Sequence, residues 1–328
     1  EHRLFLTATP HNGFTESFTA LLEMLDPLRF TRSPVLNKEH LRTVMVRRLK
    51  DDIVDALGQR KFARREVQPL SDLQLSKDEA AMLRLLDEYR DLRMGRAHGR
   101  DQLPVKFALT LLKKRLLSSP KAFDHSITVH HTHLAPPDDP EEEPGEETAK
   151  VVASLKEKLA EDFSDDEEKD RTEETAQAEA SSFFRVTDQE RQLVERLRDL
   201  AGRAAEKPDT KLKALVAWIE QHLLDDRGHW NSERLLVFTE YRDTLDYLVE
   251  SLAQRGWGDR VLNLHGGPGV DREKIKAAFR MPPDEEPMRI LVATDAASEG
   301  LNLQDHCRYL LHWEIPWNPN KMEQRNGR

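Results

Sequence analysis

Leu235-Leu236-Val237-Phe238-Thr239-Glu240-Tyr241 sets an unbroken apolar run against a polar turn, the pattern of a strand buried on both faces. Three similar runs follow, Val261 to Leu264, Ile290 to Ala293 and Tyr309 to Trp313. The spacing between them predicts amphipathic helices over Tyr241 to Gln254 and Asp271 to Phe279. Strands alternating with helices imply an α/β fold, a parallel sheet with right-handed crossovers and helices on both faces. In such a sheet the loops leaving the strand C-termini share one edge, where ligands bind.

Those loops hold the unusual residues. They read Thr239-Glu240-Tyr241, His265-Gly266-Gly267, Thr294-Asp295-Ala296-Ala297-Ser298-Glu299-Gly300-Leu301-Asn302, and a last segment from Pro316 and Asn318 to Gln324-Arg325-Asn326-Gly327-Arg328. Hydroxyls and glycines let backbone N–H groups approach a phosphate closely, and a helix starting after such a loop favours an anion. Any one of these loops alone reads equally as ordinary turn chemistry. The ordered set is more specific.

Working upstream, residues 71–231 read as a helical region. Ser76 and Glu79 have capping-box spacing ahead of a stripe of Met82, Leu85, Leu86, Tyr89 and Leu92, and a second helix is expected over Val105 to Leu117. Thr187 and Glu190 repeat the capping box before Leu193, Val194, Leu197 and Leu200, with Gly202 as the expected C-terminal cap. Another helix is expected over Thr210 to Leu224. Between them Ser118-Ser119-Pro120 reads as a turn, and residues 120–182 as a mobile acidic insertion, helical at most near Val151 to Leu159, because so few apolar side chains cannot offset the ordering entropy.

Residues 1–70 complete the division into three segments, with 232–328 as the last. Arg3 to Thr7 reads as a short buried strand and Phe18, Leu21, Leu22 and Leu25 as one face of a helix stopped by Asp26-Pro27. One strand and one helix cannot cover a parallel sheet, so the chain reads as a fragment whose first core needs residues upstream of Glu1.

The 328 residues carry one cysteine and a net charge of -10. This composition excludes a disulfide scaffold, and no apolar window long enough to span a bilayer occurs, so a soluble, cytoplasmic protein without membrane partners is expected. Between 138 and 179 there are 18 Asp and Glu against 5 Lys and Arg, which leaves the remainder of the chain positive. The acidic total therefore does not exclude a nucleic-acid backbone in a basic groove.

The run of motifs resembles Swi/Snf-type superfamily-two ATPases. It comprises Thr7-Ala8-Thr9-Pro10-His11-Asn12-Gly13, Val46-Arg47-Arg48-Leu49-Lys50-Asp51-Asp52, the loop after Val237, Ala293-Thr294-Asp295 through Ser298-Glu299-Gly300-Leu301-Asn302-Leu303-Gln304, and Ile315-Pro316-Trp317-Asn318-Pro319 through Glu323-Gln324-Arg325-Asn326-Gly327-Arg328. The Ser-Glu-Gly-Leu-Asn and Glu-Gln-Arg-x-Gly-Arg wording is similar to the RapA-like branch, which includes the helicase-like component of DISARM anti-phage systems. The resemblance implies two RecA-like lobes that close on ATP and Mg²⁺ and step along double-stranded DNA, this chain supplying the tail of the first lobe, a helical region and most of the second.

By the same resemblance Thr7 and Thr9 couple the first lobe's metal-binding carboxylates to DNA. Thr239, His265, Gly266 and Thr294 line the DNA phosphate track, and Glu299, Gly300 and Asn302 lie where nucleotide, DNA and the other lobe meet. Gln324 and Arg328 reach the ATP phosphates, where an arginine stabilises charge developing in phosphoryl transfer. Arg47, Arg48 and Lys50 face DNA or the opposite lobe, or else form a solvated helix face paired with Asp51 and Asp52. The reading requires the second lobe's loops to share one edge that its own side chains do not plug.

The departures bear on activity. No Gly-x-x-x-x-Gly-Lys-Ser/Thr occurs, and Asp87-Glu88 sits on an amphipathic helix as a solvated pair rather than in a metal-binding strand motif. The chain alone is therefore expected to be inactive as an ATPase. His125, His130, His131 and His133 read as a surface loop rather than a metal site, and Cys307 as a small buried residue rather than a nucleophile. Two other functions fit less well, a non-catalytic module whose acidic insertion recruits a protein partner, and a repair or restriction helicase that separates strands.

Overall fold

The computed structural model describes residues 3–7, 15–32, 35–48, 52–70, 73–97, 102–134, 150–151, 153–154, 165–182, 184–267, 271–295, 303–316 and 318–327. They divide into two compact units, one of residues 1–72 with 317–324 and one of 73–316 with 325–328. Among the described residues no helix is long and apolar enough to cross a membrane.

In the first unit α1 (Thr15–Leu25) and α2 (Lys38–Val44) enclose a small core of Phe18, Leu22 and Phe30, against which Leu36, Leu41, Val44 and Met45 pack. Leu21, expected on the buried face, is 40% exposed. Residues 3–7 do not form the expected buried strand: they are irregular, with Leu4 81% and Leu6 87% exposed. Among the described residues no strand lies beside them, and an extended segment without a ladder has neither hydrogen-bond partners nor a covered face.

The second unit joins a helical bundle to a sheet. In the bundle, α3 (Lys77–Arg96) starts at the Ser76 capping box and α4 spans Gln102–Ser118. Where the structure describes the expected insertion, it is mostly helical. Ser119 is an N-cap whose Oγ accepts from the Ala122 N–H, Pro120 opens α5 (Pro120–Thr132), and α6 (Asp166–Ser182) follows. Ser-Pro here starts a helix because proline's fixed φ and missing N–H suit the first helical position. The acidic segment orders through small residues, Ala176, Ala180 and Ser181, that let α6 approach its neighbours, and through Asp170 and Glu173 paired with the buried Arg115. Residues 150, 151, 153 and 154 are helical; the rest of the 135–164 stretch lies outside the described residues.

α7 (Asp188–Ala205) begins at the Thr187 capping box and runs through Gly202 rather than ending there, because Ala204 beyond it is buried in the same core. That core joins Met82, Leu86, Tyr89, Leu112, Phe123, Ile127, Phe184 and Leu197.

α8 (Thr210–Leu223) leads into the sheet of β1 (Leu235–Thr239), β2 (Val261–Leu264), β3 (Ile290–Thr294) and β4 (Tyr309–His312). All pairs are parallel, in the order β2-β3-β1-β4. Alternate residues serve opposite faces, as a strand's two-residue period requires. Leu235, Val237, Ile290 and Val292 pack with Leu215 and Ile219 of α8 and with Leu245 and Leu248 of α9 (Arg242–Leu252). Leu236, Phe238, Leu291 and Ala293 pack with Phe279 of α10 (Arg272–Arg280). A tight turn centred on Gly256, whose φ of 87° favours glycine, returns α9 to β2. α11 (Pro319–Asn326) closes the described chain.

Candidate phosphate-binding edge

Because the strands are parallel and in register, their C-terminal ends form one row. Thr239 pairs with Thr294, Leu264 with Ala293, and Phe238 with His312. His265-Gly266, Thr294, Thr239 and Trp313-Glu314 therefore stand side by side, and the expected group Thr239, His265, Gly266 and Thr294 is brought together. The edge is not open, however, and here the sequence expectation is corrected: two carboxylates of the chain itself engage it.

Asp166, on the first turn of α6 and 3% exposed, lies over β2 and β3. Its Oδ2 accepts from the Gly266 N–H at 2.5 Å and from the Thr294 hydroxyl at 2.5 Å, and its own N–H donates to the Gly266 carbonyl at 2.9 Å. Beside it His265 is buried, with no hydrogen-bond partner for Nδ1 among the described residues, and burial foremost lowers its pKa. Burial favours the neutral imidazole.

Glu314 serves the other half of the row. Its Oε1 accepts from the Thr239 hydroxyl at 3.1 Å and from Ser118 Oγ, and its Oε2 accepts from the Glu240 N–H at 3.1 Å. Burial raises the Glu314 pKa and lowers that of Lys211, whose ammonium lies 4.4 Å over the Trp313 ring and donates to the Leu117 carbonyl. Thr239, fully buried, is thus a bonded partner inside the edge rather than a surface hydroxyl.

Two cations tie α6 to this edge. Arg115 of α4, 5% exposed, lies 4.1 Å over the Tyr241 ring and reaches Glu173 at 2.5 Å, Asp243 at 3.3 Å and Asp170 at 3.6 Å. Lys169 donates to the Glu240 carbonyl at 2.6 Å. Burial pushes the Asp170 carboxyl up to about 6 although Arg115 opposes the shift. Neither cation stood out in the sequence, since each is one of many in a charged helix; the burial of Arg115 and the Glu240 contact of Lys169 distinguish them.

Next to the last strand Arg325, 1% exposed, clasps Asp295 through Nε at 2.5 Å and Nη2 at 2.8 Å, and its Nη1 donates to the Glu314 carbonyl at 2.9 Å. The arginine of this motif that the structure describes is therefore a clamp on the end of β3. Gln324 precedes it on α11, half-buried, and Arg328 lies outside the described residues. Glu299, Gly300 and Asn302 also lie outside them, as do Thr9 and Lys50. Thr7, Arg47 and Arg48 are exposed on irregular backbone in the first unit, so the alternative of a basic helix face does not hold for Arg47 and Arg48.

The histidines are not on a surface loop. His130 is fully buried on α5, bonded to Tyr89 Oη at 2.8 Å and Ser181 Oγ at 2.7 Å, and His125 bonds Asp243 at 2.9 Å. Asp87 pairs with Arg90 at 2.7 Å and Lys113 at 3.2 Å. Among the described residues no group of His, Cys, Asp and Glu is placed to hold a metal. With no Gly-Lys-Ser/Thr loop in the sequence, these residues do not by themselves build an ATP–Mg²⁺ site, and no chemical step is assigned to them.

A parallel sheet flanked by helices, with hydroxyl and glycine groups gathered on its C-terminal edge, has the architecture of a RecA-like α/β lobe. Residues 213–328 match the helicase conserved C-terminal domain family. An uncharacterized ATP-dependent helicase, YqhH of Bacillus subtilis (strain 168), is 36% identical over 29% of this chain and 16% of its own length. The RNA polymerase-associated protein RapA of Vibrio atlanticus (strain LGP32) is 32% identical over 34% of this chain and 11% of its own. The crystal structure of the C-terminal part of the Fun30 ATPase domain covers 78% of each chain at 17% identity, with a TM-score of 0.36. Residues 213–328 are thus similar to the C-terminal domain of ATP-dependent helicases, and the chain spans only 16% and 11% of the length of those two curated relatives.

Proposed function

We propose that this chain supplies the second lobe of an ATP-dependent translocase on double-stranded DNA, and that the intact protein binds ATP and Mg²⁺ and hydrolyses ATP in response to DNA. The edge does not meet the requirement that its own side chains leave it unplugged, so the supporting observation is what occupies it: the Gly266 N–H and the Thr294 hydroxyl converge on a single anionic oxygen, Asp166 Oδ2, each at 2.5 Å. An amide and a hydroxyl meeting at one point suit a non-bridging phosphate oxygen and carry no base-reading groups, as backbone tracking requires. The names of two relatives, an ATP-dependent helicase and an RNA polymerase-associated protein, favour a nucleic-acid motor over a docking module. Gln324, Arg328, Glu299, Gly300 and Asn302 are proposed at the nucleotide and lobe boundary, Thr7 and Thr9 in coupling, and Arg47, Arg48 and Lys50 toward DNA. A role in DISARM phage defence is a further proposal, tested by which genes adjoin this one.

The test is displacement by the intact protein with ATP on two substrates. Release of the third strand from a triplex, with the duplex left paired, is the expected result. Separation of the duplex would make the protein a strand-separating helicase, and activity on neither would leave a docking module.

A further inference from the structure

The same edge holds an internal carboxylate contact, and its interpretation rests on the phosphate reading above. Asp165 Oδ1 already accepts from the Glu167 N–H at the start of α6, so the Asp166 carboxylate is not needed to cap the helix. Instead it is buried against the sheet, where its Oδ2 takes the two donors that a phosphate would use. Glu167 follows it onto the same glycine turn: a Cβ on Gly267 would lie 3.5 Å from Glu167 Oε1 and 3.1 Å from His265 Nδ1. The buried, unpartnered Nδ1 of His265 adds a polar group at this point that the helix leaves unused.

The rest of α6 is held independently. Glu173 is paired with Arg115, Gln177 Nε2 donates to the Ser126 carbonyl at 2.5 Å, and Ser181 bonds His130. The first turn can thus leave the edge without the helix losing its anchor in the bundle. We infer that Asp166, with the first turn of α6, is an internal stand-in for a DNA phosphate, which duplex DNA displaces from Gly266 and Thr294 when it binds. Affinity for DNA is then reduced by the fraction of molecules in which the edge is occupied.

The experiment measures binding of a mixed-sequence DNA duplex to the intact protein by fluorescence anisotropy, with hydrogen exchange read over α6. Asp166→Ala removes the competitor and tightens binding about tenfold, the scale of one charge-assisted contact. Glu174→Ala, an equal charge change on the exposed side of the same helix, changes affinity less than about twofold. In the wild type, saturating duplex raises exchange in the first turn of α6 and leaves the half carrying Gln177 protected. Unchanged or weaker binding by folded Asp166→Ala overturns the inference while the DNA reading stands. If that variant does not fold, wild-type exchange decides, and an unchanged first turn overturns the inference. Release of that turn by ATP without DNA also overturns it, by giving the point to a nucleotide phosphate. If no form binds duplex, both readings fail.

Discussion

Arg325 shows how one side chain can matter at this edge without touching a substrate. Its guanidinium grips both oxygens of Asp295 one residue past β3, at 1% exposure. Removing one partner of a buried pair leaves the other uncompensated, so Arg325→Ala is expected to lower unfolding free energy by roughly 3–5 kcal/mol in urea titrations. Arg325→Lys should recover less than half of that, because an ammonium cannot make two parallel contacts. Cys307 is the opposite case. Burial pushes its thiol up to about 12, so at mildly alkaline pH it stays protonated and alkylation should follow unfolding rather than precede it. Rapid alkylation of the folded protein would contradict that assignment. The sequence reading had Cys307 as a packed residue; it had no means of separating Arg325 from its motif neighbours, because burial of a charge is decided by where the strands end.

At the scale of elements, the capping boxes were readable because they are local. Ser76 with Glu79 and Thr187 with Glu190 each exchange both capping bonds, and Thr187→Ala should cost about 1 kcal/mol of stability. Gly202 was misread as a cap because glycine after an apolar stripe usually is one, whereas this helix is extended by tertiary burial. A Cβ there would meet only Asp124 Oδ1 at 3.6 Å, so Gly202→Ala should stabilise by about 0.5–1 kcal/mol in the same titration. A destabilising result would mean that α7 ends where the sequence suggested. The larger error, at the described parts of 120–182, arose because composition was weighed without partners: Asp170 and Glu173, which look like part of a solvated run, are paired with Arg115, and Lys169 of the same run donates to the Glu240 carbonyl.

His130, bonded to Tyr89 and to Ser181 of α6, gives the buried packing of α5 on α6 a pH signature. Burial first, with Arg93 second, pushes its pKa down to about 3, below the ordinary value of 6.5, so the folded state keeps it neutral while the unfolded chain protonates. Its contribution is complete above about pH 6.5 and is lost as pH falls toward 3, an effect on the order of a few kcal/mol. Unfolding titrations across that range should show the slope, and His130→Gln should flatten it.

For the whole molecule, the α/β sheet, its parallel order and the shared edge were legible because each rests on periodicity and on the handedness of crossovers. The state of the edge was not, because Asp166 is 128 residues from Thr294 and 100 from Gly266, and no local pattern links them. Part of an acidic stretch read as a mobile insertion proves to sit on the sheet edge. On the proposed reading, DNA contact and its restraint share one row of strand ends.

The most direct measurement of the central claim is ATP turnover by the intact protein with and without duplex DNA, in the wild type and in Thr294→Ala. Turnover should rise severalfold with duplex in the wild type, and Thr294→Ala should lose most of that rise while keeping the DNA-free rate. Equal turnover with and without DNA, or full stimulation of Thr294→Ala, would contradict a phosphate-tracking edge.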